Sequence, residues 1–193
     1  NVQFWKRLTL GELTVEELRT QRFAAMLEKF SGHPYHFINE LAPILGNKYL
    51  ENYKSFWQLF NGASQAIESA SQIAPLGLLS NGFRLQVLGK IKQFSWDSIF
   101  KQVVISEDVG VMKPHGKIFE YAMSVASVSN SSEMLYIGDH YDTDIIGANN
   151  AGWQTIWVNL HNEIVNSTVA NAEISSISEL PERIVNNQII MTE

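Results

Sequence analysis

The chain has 193 residues, 45% hydrophobic and 18% charged, with a formal net charge of -6. This is the composition of a globular protein able to bury a core, and the scattered Lys and Arg residues exclude nucleic-acid binding as the main activity. There are no cysteines, which excludes disulfides, thiolate chemistry and Cys-bound zinc. With no apolar run of bilayer-spanning length and no secretory-signal pattern, the expectation is a cytoplasmic protein without a membrane partner.

The first third reads as helix. Residues 2–8 form the end of one helix, closed by a Leu10-Gly11 turn. Thr14 and Glu17 make a T-x-x-E capping box that opens a second, with Val15, Leu18, Phe23, Met26, Leu27 and Phe30 on one face and a stop at Ser31-Gly32. Trp5, Arg19 and Arg22 read as packing and solvated edge rather than ligand contacts. Residues 35–56 continue as helix, with Ile38, Leu41, Leu45 and Tyr49 at helical spacing and Pro43 as a start, break or kink. His33 and His36 flank Pro34 and the other histidines are isolated, so all read as surface or loop residues. The first residue is Asn and the chain opens directly on a helical segment, as expected if sequence upstream were missing.

At Phe60-Asn61-Gly62 the pattern changes to alternating strands and helices. The expected order is helix 63–73, strand 76–80, helix 85–94, strand 102–106, helix 114–128 with Pro114 first, strand 134–137, strand 153–159, a weak strand 172–175 and helix 177–185. Such alternation implies a parallel sheet covered on both faces.

The ends of these strands carry chemistry. Ser80-Asn81-Gly82 offers a hydroxyl, an amide and a glycine where backbone N–H groups can approach an anion, or is only a turn. Lys113 sits just before a helix, as an anion contact or as a surface lysine. Gly138 ends the strand before Asp139, and Asp144 follows in the next helix, which Thr143 or Asp142 caps, Ile145, Ile146 and Ala148 bury, and Gly152 stops. Gly147 inside that helix points to close packing against a sheet. The two aspartates either cap the helix or hold a hard cation such as Mg2+. In a parallel sheet all these ends converge, which assembles a hydroxyl, a cation and an acidic site suited to a phosphoryl group.

The sequence resembles the haloacid dehalogenase-like hydrolase superfamily over nearly its whole length. LLSNG matches the family's second motif, VISEDVGVMKPHGKIFEYA carries the third and YIGDHYDTDIIGANNAG the fourth. The resemblance implies that Ser80 binds a phosphoryl oxygen with Asn81 and Gly82 beside it, and that Lys113 stabilises both nucleophile and transferring phosphate. It further implies that Asp139 binds Mg2+ and that Asp144 supports the metal shell and Lys113. It also implies an α/β fold: a Rossmann-like core at residues 60–193 and a helical cap at residues 1–59, incomplete at its start. SEDVG-x-x-KP-x-x-x-IF, with a helical insert containing Arg22-Phe23, is similar to small bacterial nucleotidases acting on pyrimidine nucleoside monophosphates.

One family feature is missing. The first motif, a hydrophobic strand followed by D-x-D-x-T, supplies the aspartyl nucleophile and the general acid, and in this chain the only D-x-D is Asp142-Thr143-Asp144 of the fourth motif. The family's first strand lies between the strands ending at Ser80 and Asp139, so the expectation is a fragment whose fold is weakened and which alone turns over no phosphate ester. The favoured reading for the intact protein is a Mg2+-dependent phosphatase acting on a small phosphorylated metabolite. A metal-independent haloacid dehalogenase and a non-catalytic phosphate-binding module are the alternatives, and the coding sequence just upstream discriminates the last.

Overall fold

The computed structural model describes Phe4, Arg7, Leu8, residues 12–30 and residues 34–186. Phe4, Arg7 and Leu8 are helical, whereas Val2, Trp5, the Leu10-Gly11 turn, the Ser31-Gly32 stop and His33 lie outside the described residues. The chain divides into two compact units, Asn1–Gln58 and Leu59–Glu193.

After the helical Phe4, Arg7 and Leu8, the described residues of the first unit form the helices α1 (Val15–Phe30) and α2 (Tyr35–Tyr53) and a single 3-10 turn, Lys54–Phe56. The capping box forms: Thr14 N–H donates to Glu17 Oε2 at 2.7 Å and Glu17 N–H donates to Thr14 Oγ1 at 3.1 Å. The expected buried face of α1 forms only in part. Leu18 is buried and Phe23 and Leu27 are half-buried, but Val15, Met26 and Phe30 are exposed. The reason lies in α2, which meets α1 along the small residues Ala42 and Gly46, both buried. A Cβ on Gly46 would stand 3.0 Å from Arg19 Cγ, so the two helices approach closely there, and Ile38 is buried on the same helix. Pro43 sits inside α2, which runs through it.

The second unit alternates helix and strand, in the order α3 (Ala63–Ser71), β1 (Leu76–Ser80), α4 (Arg84–Gln93), β2 (Phe100–Ile105), α5 (Ser106–Val109), α6 (Gly116–Ala126), β3 (Leu135–Gly138), α7 (Ile146–Asn150), β4 (Gln154–Val158), β5 (Ala172–Ile174) and α8 (Leu180–Asn186). The fold is α/β and every strand pairing is parallel. The strands fall into two sheets, β1-β2 and β3-β4-β5, and among the described residues no main-chain ladder joins β1 to β3. Both sheets are covered. Ala66, Ala70, Leu180 and Ile184 of α3 and α8 pack on Ile156, Val158 and Ile174, while Val87 and Ile91 of α4 pack on Ile105. A third cluster crosses from sheet to sheet: Val104 of β2 and Tyr136 of β3 share it with Ile118, Phe119, Ala122, Ala148 and Trp153. Burial on both faces fits the apolar runs Val103-Val104-Ile105 and Ile156-Trp157-Val158.

Two expected boundaries move for local reasons. The helix after Lys113 starts at Gly116 rather than Pro114, because His115 N–H closes a turn onto Met112 O at 2.9 Å and His115 then caps the helix, its Nδ1 accepting from Lys117 N–H at 3.2 Å. The helix after Asp139 opens as a wide turn, Tyr141–Ile145, before becoming regular at Ile146. Gly152, at φ +81, stops it in the left-handed region.

Candidate active site

The carboxyl ends of β1 and β3 and the loop before α6 meet at one buried point. Lys113 and Asp144 carry side chains only 8% exposed, and Lys113 Nζ lies 2.7 Å from Asp144 Oδ1. The ammonium also donates to the Tyr136 hydroxyl at 2.6 Å and to Leu79 O at 3.4 Å, so its three protons have three acceptors. Tyr136 O–H in turn donates to Leu79 O at 3.1 Å, which links β3 to β1 through a side chain. Burial first, and then the negative charges of Asp144 and Asp139, hold that hydroxyl well above the ordinary tyrosine range, so it serves as a neutral donor.

The loop carrying Lys113 is fixed from β1. Asn81 Oδ1 accepts from Lys113 N–H at 2.8 Å, and Asn81 Nδ2 donates to Lys113 O at 3.0 Å, so one amide side chain clamps both main-chain groups of that residue. Gly82 N–H donates to Ser80 Oγ at 3.0 Å, which orients the Ser80 hydroxyl and leaves its proton able to donate elsewhere. Sequence reasoning anticipates Ser80, Asn81 and Gly82 as an anion-contacting trio; here the Asn81 side chain and the Gly82 N–H shape the turn that carries Ser80.

Asp144 has a second task. Its Oδ2 accepts from His140 N–H at 3.3 Å and its Oδ1 from Thr143 Oγ1 at 3.2 Å, so Asp144 supplies the side-chain contact at the start of this turn that was expected of Thr143 or Asp142. This carboxylate lies against Gly138, where a Cβ would stand 2.6 Å from Asp144 Oδ2, and any larger residue would push it off Lys113. Ile145 and Ala148 are buried as expected, and Ile146 is half-buried. Close packing does account for Gly147, but against Phe119 and Pro114 rather than against a sheet: its Cβ would meet the Phe119 ring at 2.9 Å and Pro114 Cα at 3.0 Å.

Asp139 stands just past the end of β3 and is exposed. Its carbonyl accepts from Trp157 Nε1–H at 3.1 Å. Tyr136 and Trp157 are the residues that sequence reasoning misses, since in an apolar run each reads as core. The available signal is that a buried Tyr or Trp usually seeks a partner for its polar tip. The described histidines, His36, His115, His140 and His161, are all exposed, and among the described residues no three His, Asp or Glu gather as a ready-made metal cage. The exposed Asp139 carboxylate is nevertheless a donor of the right kind for Mg2+, a hard cation that keeps several waters and takes one or two protein carboxylates beside substrate phosphate, whereas both oxygens of Asp144 already accept from Lys113, Thr143 and His140 N–H.

A family model described as haloacid dehalogenase-like hydrolase matches residues 6–158. The chain belongs to this family of hydrolases. It is 30% identical over 187 residues to the pyrimidine 5'-nucleotidase YjjG of Escherichia coli K12, covering 94% of this chain and 78% of that protein. Among solved structures, the magnesium-bound HAD-hydrolase YfnB of Bacillus subtilis superposes with a TM-score of 0.78 at 26% identity, over 96% of this chain and 78% of that one. A 2-haloacid dehalogenase from Pseudomonas syringae pv. Tomato DC3000 superposes with a TM-score of 0.68 at 26% identity, over 95% of this chain and 79% of that one. By sequence match the chain spans 65% of the full length of YfnB and 34% of the glyceraldehyde 3-phosphate phosphatase of Pyrococcus abyssi.

Proposed function

We propose that the whole protein is a Mg2+-dependent phosphatase of small phosphate monoesters, with nucleoside monophosphates as the preferred class. One observation carries the reading: a buried lysine and a buried aspartate, Lys113 and Asp144, are brought to 2.7 Å at the converging strand ends, in hydrogen-bonded continuity with the Ser80 turn. In this reading the Ser80 hydroxyl donates to a phosphoryl oxygen, with Asn81 and Gly82 shaping the turn beneath it. The Lys113 ammonium exchanges its longest contact, Leu79 O at 3.4 Å, for a second phosphoryl oxygen. Leu79 O keeps the Tyr136 hydroxyl when that happens, so the exchange strands no buried acceptor.

Asp139 is the proposed ligand of Mg2+, with Asp144 supporting it. The ion would neutralise charge on the phosphoryl group beside that carboxylate. The attacking carboxylate is proposed to come from outside these residues, on an apolar strand seated between β1 and β3; it would displace the ester's alcohol from phosphorus to give an aspartyl-phosphate, which water would then hydrolyse to phosphate and the free carboxylate. The preference for nucleotides is supported by the similarity to YjjG and by the Arg22-Phe23 pair in the helical unit.

The test assays this chain beside one extended upstream, with Mg2+ and p-nitrophenyl phosphate. Turnover by the extended protein, its loss on adding a chelator and none by the chain alone are expected. Equal turnover by both would place the nucleophile within these residues and overturn the reading. Chelator-insensitive hydrolysis of a 2-haloacid would favour the dehalogenase reading. Sugar phosphates turning over far better than nucleoside monophosphates would remove the substrate preference.

A further inference from the structure

The proposed site uses the Asp139 carboxylate, and what aims that carboxylate is a separate matter. The register between β3 and β4 ends at Gly138 opposite Trp157, so Asp139 lies beyond the ladder on an exposed edge. The peptide that follows it is nevertheless held at both ends. Its carbonyl, on Asp139, accepts from the Trp157 indole N–H at 3.1 Å, and its N–H, on His140, donates to Asp144 Oδ2 at 3.3 Å.

The donor is itself fixed. Trp157 is 1% exposed, and the Tyr141 ring packs on it with centroids 4.7 Å apart. The Tyr141 hydroxyl donates to Ser167 O at 3.1 Å and accepts from Val169 N–H at 3.0 Å, which ties the ring to the loop between β4 and β5. A buried indole has one N–H and one direction in which to offer it.

We infer that Trp157 is a positioning residue for Asp139: its indole N–H sets the plane of the Asp139–His140 peptide and thereby the direction of the metal-binding carboxylate. The inference rests on the Mg2+ reading above. Without the N–H the peptide is held only from the Asp144 side, and an exposed aspartate free to turn about its own backbone must be ordered each time a cation binds. Tyr141 acts one step further out, by holding the indole.

The test is calorimetric titration with Mg2+ alone of the protein extended upstream, as in the phosphatase assay above. Parent protein is compared with Asp139→Asn, with Trp157→Phe, and with a protein carrying 3-benzothienylalanine at position 157, which keeps the indole shape and lacks the N–H. Asp139→Asn should abolish binding. The benzothienyl protein should melt with the parent and bind Mg2+ about tenfold more weakly, as loss of outer-shell partners does at metal sites. Trp157→Phe should show the same weakening with an added loss of stability from the smaller ring; should it fail to fold, the benzothienyl protein decides. Unchanged Mg2+ affinity in that protein, with Asp139→Asn silent, would overturn the positioning role alone. Absence of Mg2+ binding by the parent, or its survival in Asp139→Asn, would overturn the metal reading and this inference with it.

Discussion

Replacing Asp144 with Asn takes the charge from one member of a buried pair and leaves the other in place. Both side chains are 8% exposed and the pair is 2.7 Å long, so water cannot take over the role of the lost partner. Breaking such a pair from one side costs about 3–5 kcal/mol, because an uncompensated charge stays buried. Lys113 would keep the Tyr136 hydroxyl and Leu79 O as acceptors, which puts the expected cost at the low end, about 3 kcal/mol. Lys113→Met should cost a similar amount, since Asp144 would keep only His140 N–H and Thr143 Oγ1.

The double variant removes both charges together, so it should cost well under the sum, with a coupling of about 2–3 kcal/mol. Urea unfolding at neutral pH, followed by fluorescence of the five tryptophans, reads all four proteins. The exposed pair between Arg84 and Asp108, with side chains 56% and 37% exposed, is the internal comparison, and Arg84→Ala should cost less than about 1 kcal/mol. If Asp144→Asn and Lys113→Met each cost under about 1 kcal/mol and add without coupling, the pair is solvated in solution and the reasoning fails.

Tyr136→Phe keeps the ring against Phe119 and Trp153 but loses the bonds to Lys113 and Leu79, and should cost about 1–2 kcal/mol in the same assay. Because the folded hydroxyl titrates well above the ordinary tyrosine value of 10.0, its contribution is complete below that pH and is lost as pH rises beyond it. Urea midpoints measured from about pH 9 to 11 should therefore fall less steeply in Tyr136→Phe than in the parent. Glu179 shows the opposite sign: bonds first from the Ser175 hydroxyl and then from the Ser175 and Ser176 N–H groups lower its carboxyl below 4.5, so its contribution is present above that pH and lost on acidification. Glu179→Gln should flatten the acid side of the melting-temperature profile. Gly147→Ala should cost about 1–3 kcal/mol, since its methyl meets the Phe119 ring and Pro114 Cα with no flexible neighbour to give way.

Where a local rule decided the structure, the sequence was readable. Leu76–Ser80 is a strand at its expected bounds because its apolar run is bounded by a turn, and Thr14 with Glu17 closes its capping box because both partners lie three residues apart. Gly152 stops its helix for an equally local reason. The face of α1 was only partly readable. An apolar stripe says that something is buried, whereas which of its residues are covered depends on another helix. The candidate site divides the same way: Ser80 closes β1 and Asp144 follows the end of β3, both legible from a parallel sheet, while Lys113 stands beyond α5 in the loop before α6. Tyr136 and Trp157 matter through the polar tip of an otherwise apolar residue, and only the fold says which backbone carbonyl that tip reaches.

The site and the seam between the two sheets are one place, and this has a physical consequence. No ladder bond joins β1 to β3 among the described residues, so at this edge the sheets are tied by side chains. Asn81 grips the main chain of Lys113, Lys113 meets Asp144, Asp144 holds His140 N–H, and the same peptide is held by Trp157 of β4. Every link is directional, and every link between side chains is shielded from water, so a displacement at the Ser80 turn has few ways to relax before it reaches Asp139. The phosphoryl-binding and metal-binding halves of the proposed site should therefore respond together. Asn81→Ala, which touches neither Asp139 nor a cation, should weaken Mg2+ binding by the protein extended upstream as well as phosphate binding, and calorimetry showing an unaltered Mg2+ affinity in Asn81→Ala would mean that the two halves are independent.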